Sequence, residues 1–181
     1  RMLLPDVPTL YEGFPPEICP RQYRAPSRAD EALAQSLNVP AVRMLKTYGI
    51  ARFADLLREA GMTTLTRPAN NYGLTLMLGG GEGNLWEITG LYAGLTQVAR
   101  AGAADPAPRF IAPRVLLDEA GAGGEAPVST GAAWLTLNAL LEVPRPGEEG
   151  HWKNFASSRS IAWKTGTSRG LRDGWAVGTT R

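Results

Sequence analysis

Lys164-Thr165-Gly166-Thr167-Ser168 places one fixed cation and three hydroxyls in five consecutive residues. An ammonium flanked by hydroxyls is unusual for a buried strand and suits a strand edge that faces an anionic ligand. Far upstream, Ser36-Leu37-Asn38 offers a hydroxyl and a carboxamide two residues apart. Each group is weak evidence alone. A serine before a helix is ordinarily a cap, and a lysine at a strand end is ordinarily solvated. The chemistry depends on whether the chain folds one onto the other.

Other motifs carry less. His151 is the only histidine, so a His-based triad or a His-ligand metal site has at most one candidate, and it sits in a polar loop. Cys19 is the only cysteine, which excludes an internal disulfide. The run from Gly79 to Gly83 lacks the Gly-Lys-Ser/Thr of a phosphate-binding loop and does not fit G-x-G-x-x-G. It reads as a tight backbone approach entering the next helix. No metal or cofactor is expected.

The elements that must position these residues follow from periodicity and caps. Residues 1–27 read as extended chain and turns. A helix is expected from Arg28 to Gln35, and a second begins near Pro40 and ends at Gly49. A third runs from about Ala51 to Ala60, with Phe53, Leu56 and Leu57 on one face. Asn84 with Glu87 three residues on resembles a capping box before a helix that ends at Gly102. A short extended segment is expected near Arg109, broken by Pro113. Ser129 or Thr130 caps a helix with Trp134, Leu137, Leu140 and Leu141 on one face, stopped by Pro144. The last two runs, around Lys164 and Val177, read as an antiparallel hairpin turning between Arg169 and Asp173. A lone two-stranded ribbon is marginal in water, and no other convincing strand is legible. The chain, a helix cluster followed by a β-hairpin, is therefore expected to be a fragment of a larger α/β unit.

Composition fits one domain or a piece of one. Hydrophobic residues are 44% and charged residues 20%, which excludes a disordered chain, and a net charge of +2 gives no case for a nucleic-acid partner. No apolar run approaches the ~20 residues of a membrane span.

A Ser-x-x-Lys, a Ser-Asp-Asn (here Ser36-Leu37-Asn38, a Ser-x-Asn) and a Lys-Thr-Gly element, in that order, are the signature of penicillin-binding proteins and class A β-lactamases. The second and third occur here in that order. The likeness runs further, through "LLPDVPTLYEGF", "DEALAQSLNVPAVRML", "LTLMLGGGEGNLWEITGLYAGL" and "IAWKTGTSRGLRDGWAVG". These resemble the transpeptidase domain of bifunctional penicillin-binding proteins, and within that family the 1C type. The resemblance implies the α/β penicillin-binding/serine β-lactamase-like transpeptidase fold, a helix cluster packed on an antiparallel sheet that is incomplete here, with residues 1–181 a partial domain truncated at both ends. It also implies roles. Lys164 would stabilise the substrate's terminal carboxylate or assist proton traffic, and Thr165 and Thr167 would offer hydroxyls to that carboxylate. Gly166 would let the peptide approach, and the Thr167 amide would be one oxyanion-hole donor. Ser36 would relay a proton to the leaving amine, and Asn38 would hold a substrate amide. The stretch around Gly79 to Gly83 would have at most a lesser part in shaping the cleft. Partners would be peptidoglycan stem peptides, β-lactam antibiotics and other cell-wall synthesis proteins. The location would be the periplasmic face of the bacterial inner membrane, through an anchor outside this chain, with a glycosyltransferase domain upstream.

The first element of the signature is missing. None of the seven serines in these residues is followed three positions later by lysine. The nucleophilic serine and its activating lysine are expected before Arg1, so this stretch alone should be inactive. Two alternatives follow. A non-catalytic homologue that holds peptidoglycan or a partner would lack that serine altogether. A serine β-lactamase would need a water-activating Glu-x-x-Leu-Asn, yet the only similar text, "WLTLN", has Trp134 in place of the glutamate.

Overall fold

The structure is a computed structural model that describes residues 2–7, 26–102, 105, 107–116, 123–144, 159–168 and 170–180. Cys19, His151 and Arg169 lie outside the described residues.

Two short strands, β1 (Leu3–Leu4) and β2 (Ser27–Arg28), pair antiparallel and lead into α1 (Ala29–Ala34). Helices α2 (Asn38–Tyr48) and α3 (Ile50–Glu59) follow, separated by Gly49 at φ +100. A one-turn helix α4 (Ala69–Tyr72) runs into a 3₁₀ helix (Gly73–Leu78). The long helix α5 (Leu85–Ala101) precedes the small pair β3 (Arg109–Ile111) and β4 (Gly123–Glu125). Helix α6 (Thr130–Leu141) leads to the ribbon, β5 (Ile161–Thr167) and β6 (Gly174–Thr180), paired from Ile161↔Thr180 to Thr167↔Gly174. The pairs β1–β2 and β3–β4, not expected from the sequence, do not join the ribbon, which stays two-stranded among the described residues.

Helices α5 and α6 pack on each other and together on one side of the ribbon, α6 against β5 and α5 against β6. The Thr96 hydroxyl of α5 donates to Thr179 Oγ1 on β6 at 3.0 Å. Opposite residues of an antiparallel pair share a face, so Ala162, Lys164 and Gly166 share theirs with Thr179, Val177 and Trp175. Ala162, at 1% exposure, fixes that face as the one buried under α6. Gly94 of α5 lies against the Phe110 ring, and a Cβ at Gly90 would come within 2.8 Å of Pro113. The helix is kept bare there so that the β3 segment can lie close along it.

Two sequence expectations change. On α6 the buried stripe is Ala133, Leu137 and Leu140, whereas Trp134 is 49% exposed. The i, i+4, i+7 spacing starts one residue earlier than the tryptophan suggested, which turns Trp134 toward the edge. At the start of α5, Asn84 Oδ1 accepts from the Glu87 amide at 2.9 Å, as a cap should. The Glu87 carboxylate does not complete a capping box. It accepts from the Thr63 hydroxyl at 2.7 Å, the Thr64 amide at 3.1 Å and the Thr64 hydroxyl at 2.5 Å. Three donors from a distant turn outcompete the single local amide. Burial alone would raise the Glu87 pKa, but the bonds from Thr64 and Thr63 outweigh it and hold it below the ordinary carboxylate value. The glycine run is a close approach, as its composition suggests: Gly80 N donates to Thr75 O at 2.8 Å, and a Cβ there would meet that oxygen at 2.9 Å.

Candidate active site

Helix α1 ends in a Schellman motif. The Leu37 amide donates to Ala32 O at 2.9 Å and the Ser36 amide to Leu33 O at 3.2 Å. Leu37 then packs on Ala32 and Leu4, the apolar contact that accompanies this cap. The motif needs a left-handed residue at its penultimate position, ordinarily glycine. Here that residue is Ser36, at φ +57. A Cβ in this region costs ~1–2 kcal/mol. Strain of this kind at a non-glycine position persists where surroundings enforce it and clusters at functional sites. Buried Leu37, Val39, Pro40 and Val42 supply the enforcement.

Two small residues bring the hydroxyl to the ribbon. Ala34, two residues before Ser36, and Ala162, two residues before Lys164, belong to one core cluster with Leu137, Leu140 and Val143. The Trp163 indole donates to Val143 O at 3.3 Å and ties the strand to the end of α6. With both segments anchored two residues away, Lys164 Nζ donates to Ser36 Oγ across 128 positions of sequence. Lys164 Nζ also donates to Thr165 O at 3.0 Å. Lys164 is half-buried, and burial pushes its pKa down from the ordinary lysine value. A lysine so placed can bind an anion when charged and exchange a proton with the serine hydroxyl at lower cost than a solvated one.

Asn38 is two residues from Ser36, but as the first residue of α2 rather than in a loop between helices. Pro40 favours a helical start here, because its fixed φ and missing amide suit a first turn. Thr165, Gly166 and Thr167 are exposed along β5. Alternation places the two threonines on the face opposite Lys164, so a ligand would have to lie along the strand edge to meet all three.

That edge carries backbone groups that β6 does not use, in a definite register. The Ser168 amide donates to Asp173 O at 3.0 Å, toward the continuation of β6. Bonding alternates along an antiparallel strand, so the Thr165 and Thr167 amides and carbonyls point away from β6, to the side where Lys164 reaches Thr165 O. Among the described residues no strand pairs with this edge. The assembled site is thus a serine hydroxyl and a lysine in contact, beside a strand edge along which the Thr167 N–H and C=O face away from β6.

No protein-family model matches the chain. Among curated proteins, penicillin-binding protein 1C of Escherichia coli is 32% identical over 177 residues, covering 97% of this chain and 21% of that protein. The chain is related to the penicillin-binding proteins. Penicillin-binding protein 1B of Vibrio cholerae is 30% identical over 97% of the chain and 23% of its own length. The chain therefore spans about a fifth of the length of the penicillin-binding proteins it matches. Solved structures agree on the fold. Penicillin-binding protein 1A from Haemophilus influenzae superposes with a TM-score of 0.72 at 22% identity, over 97% of this chain and 32% of that one. Penicillin-binding protein A from Mycobacterium tuberculosis, solved as an imipenem acyl-enzyme complex, gives 0.68 at 16% identity, over 98% and 46%. The mixed arrangement of helices on an antiparallel ribbon is part of the penicillin-binding-protein fold. No helix among the described residues is long and apolar enough to cross a membrane.

Proposed function

We propose that these residues form part of a peptidoglycan D,D-transpeptidase domain, truncated at both ends, in a penicillin-binding protein of the cell envelope. The observation that carries the reading is the contact between Ser36 Oγ and Lys164 Nζ, two groups that resemblance alone had linked. The similarity to penicillin-binding proteins 1C and 1B supports a role in peptidoglycan synthesis.

In this reading a serine outside the 181 residues gives its proton to the activating lysine beside it and attacks the carbonyl of the D-Ala-D-Ala bond of a stem peptide. The Thr167 amide donates to the developing oxyanion, an interaction whose loss costs ~10²–10³ in rate in comparable acyl transfers. Lys164 holds the terminal carboxylate, with Thr165 and Thr167 beside it, and Asn38 holds a backbone amide of the stem. The C–N bond breaks, and Ser36 passes a proton to the departing D-alanine amine. An amine of a neighbouring stem then attacks the acyl-serine, the C–O bond breaks, and the cross-link forms while the proton returns through the same hydroxyl. β-Lactams would acylate the same serine. The protein would act at the periplasmic face of the inner membrane and pair with other wall-synthesis proteins.

The test is release of D-alanine from a pentapeptide stem by the longer protein that carries the upstream serine. Wild type should release it, and Lys164→Ala should release it much more slowly. A wild-type protein that binds peptidoglycan without releasing D-alanine would instead be the non-catalytic homologue.

A further inference from the structure

The hairpin beyond Thr167 is closed in an unusual way. The Leu171 amide donates to Ser168 O at 3.0 Å, closing a tight turn in which Gly170 takes φ +80. The Ser168 carbonyl is thereby occupied with the turn. The Ser168 side chain takes over: Asp173 N donates to Ser168 Oγ at 2.9 Å, and Ser168 Oγ donates to Asp173 Oδ2 at 3.0 Å. With the Ser168 amide bonded to Asp173 O, three hydrogen bonds hold one residue pair. They do so in an exposed turn that carries a second strain, Leu171 at φ +57 and 85% exposed. An apolar residue in left-handed backbone, with its side chain in solvent, gains nothing locally from that conformation. The clasp is what the structure offers to hold it.

We propose that Ser168 and Asp173 are positioning residues for the Thr167 amide, a role that rests on the transpeptidase reading above. Residue 168 fixes the phase of the bonding alternation at the open end of β5, and so fixes the direction of the adjacent Thr167 N–H. Without the clasp the strained turn relaxes, the last strand residue tilts, and the donor loses its aim. Ser36 and Lys164 are anchored elsewhere, through the core that joins Ala34 and Ala162 to α6, so of the binding groups only the Thr167 hydroxyl moves and most of the binding is kept. A misplacement of about 1 Å at a reacting group can cost about 100-fold in rate.

The experiment uses the longer protein with its serine and measures acylation by a chromogenic β-lactam, separating the acylation rate constant from the preceding binding constant. Asp173→Ala should lower the rate constant by about 10- to 100-fold and change binding by less than about threefold. Asp173→Asn, whose Oδ1 can still accept from Ser168, should recover to within about threefold of wild type. Should Asp173→Ala not fold, judged by thermal unfolding, Ser168→Ala against Ser168→Thr makes the same comparison. Asp173→Ala acylating at the wild-type rate would overturn the proposal, as would equal damage from Ala and Asn, which would implicate charge rather than the clasp. Loss of binding affinity alone would overturn it too. A wild-type protein that forms no adduct would sink the transpeptidase reading itself, a result distinct from any of these.

Discussion

Ser36→Gly should be more stable than Ser36→Ala, and both should be disabled. Ser36 stands at the left-handed position of the Schellman cap, at φ +57, where glycine is the ordinary occupant. A comparison of Ser36→Ala with Ser36→Gly isolates the backbone term, since both lose the hydroxyl and its contact with Lys164. Alanine keeps the Cβ penalty of ~1–2 kcal/mol. Glycine removes it but raises the unfolded-state entropy, a loss of ~0.4–1 kcal/mol. The balance leaves the glycine variant more stable than the alanine variant by about 0.5–1 kcal/mol. In urea unfolding followed by tryptophan fluorescence, with a slope of ~2 kcal/mol/M, the midpoints should differ by about 0.25–0.5 M. Both variants should be equally defective in acylation. A glycine variant no more stable than the alanine variant would refute the strained geometry. An acylation rate preserved in either would refute the role of the hydroxyl.

In a double-mutant cycle, Lys164→Ala and Ser36→Ala should each slow acylation by roughly 10- to 150-fold, the equivalent of a charge-assisted hydrogen bond. Combined, they should cost little more than the worse single change, because the two groups act as one unit, and multiplicative losses would argue against that. The alkaline limb of the acylation-pH profile should fall below the ordinary lysine value of ~10.4, because burial lowers the Lys164 pKa and the charged form binds the carboxylate. Lys164→Arg should move that limb beyond the accessible range, and an unmoved limb would assign it to another group. Glu87→Ala should cost about 2–3 kcal/mol at neutral pH by stranding the Thr63 hydroxyl and the Thr64 amide, while the Thr64 hydroxyl keeps Glu82 O as acceptor. The folded Glu87 pKa is depressed, so its contribution is present above the unfolded value of ~4.3 and is lost as pH falls through the folded one. The gap between variant and wild type should therefore close in acid, and a constant gap would contradict the assigned charge state.

The helices were legible because caps and periodicity are local. Asn84, Ser129, Gly49 and Gly102 bound their helices as their residue types suggest. The ribbon was legible for the same reason, from alternation around a polar turn. The pairings β1–β2 and β3–β4 were not, although the extended segment near Arg109 that forms β3 was. Two or three residues cannot display a period, and β4 is glycine-rich. Glu87 illustrates a different loss: its spacing from Asn84 satisfied a local rule, while its true partners lie over twenty residues upstream and carry no mark in the sequence. The site divides likewise. Residue types named Ser36 and Lys164 as candidates, but the signal that joins them is the burial of Ala34 and Ala162 in one core, and alanines announce nothing. The clasp at Ser168 and Asp173 was read only as a polar turn, because its three bonds depend on a carbonyl already being occupied by Leu171.

Covalent labelling with fluorescent penicillin, followed by mass mapping of the adduct, tests the transpeptidase reading most directly. The longer protein should carry one adduct, on a serine beyond these 181 residues, formed much more slowly in Lys164→Ala. No adduct in the wild type, or labelling indifferent to residue 164, would contradict it.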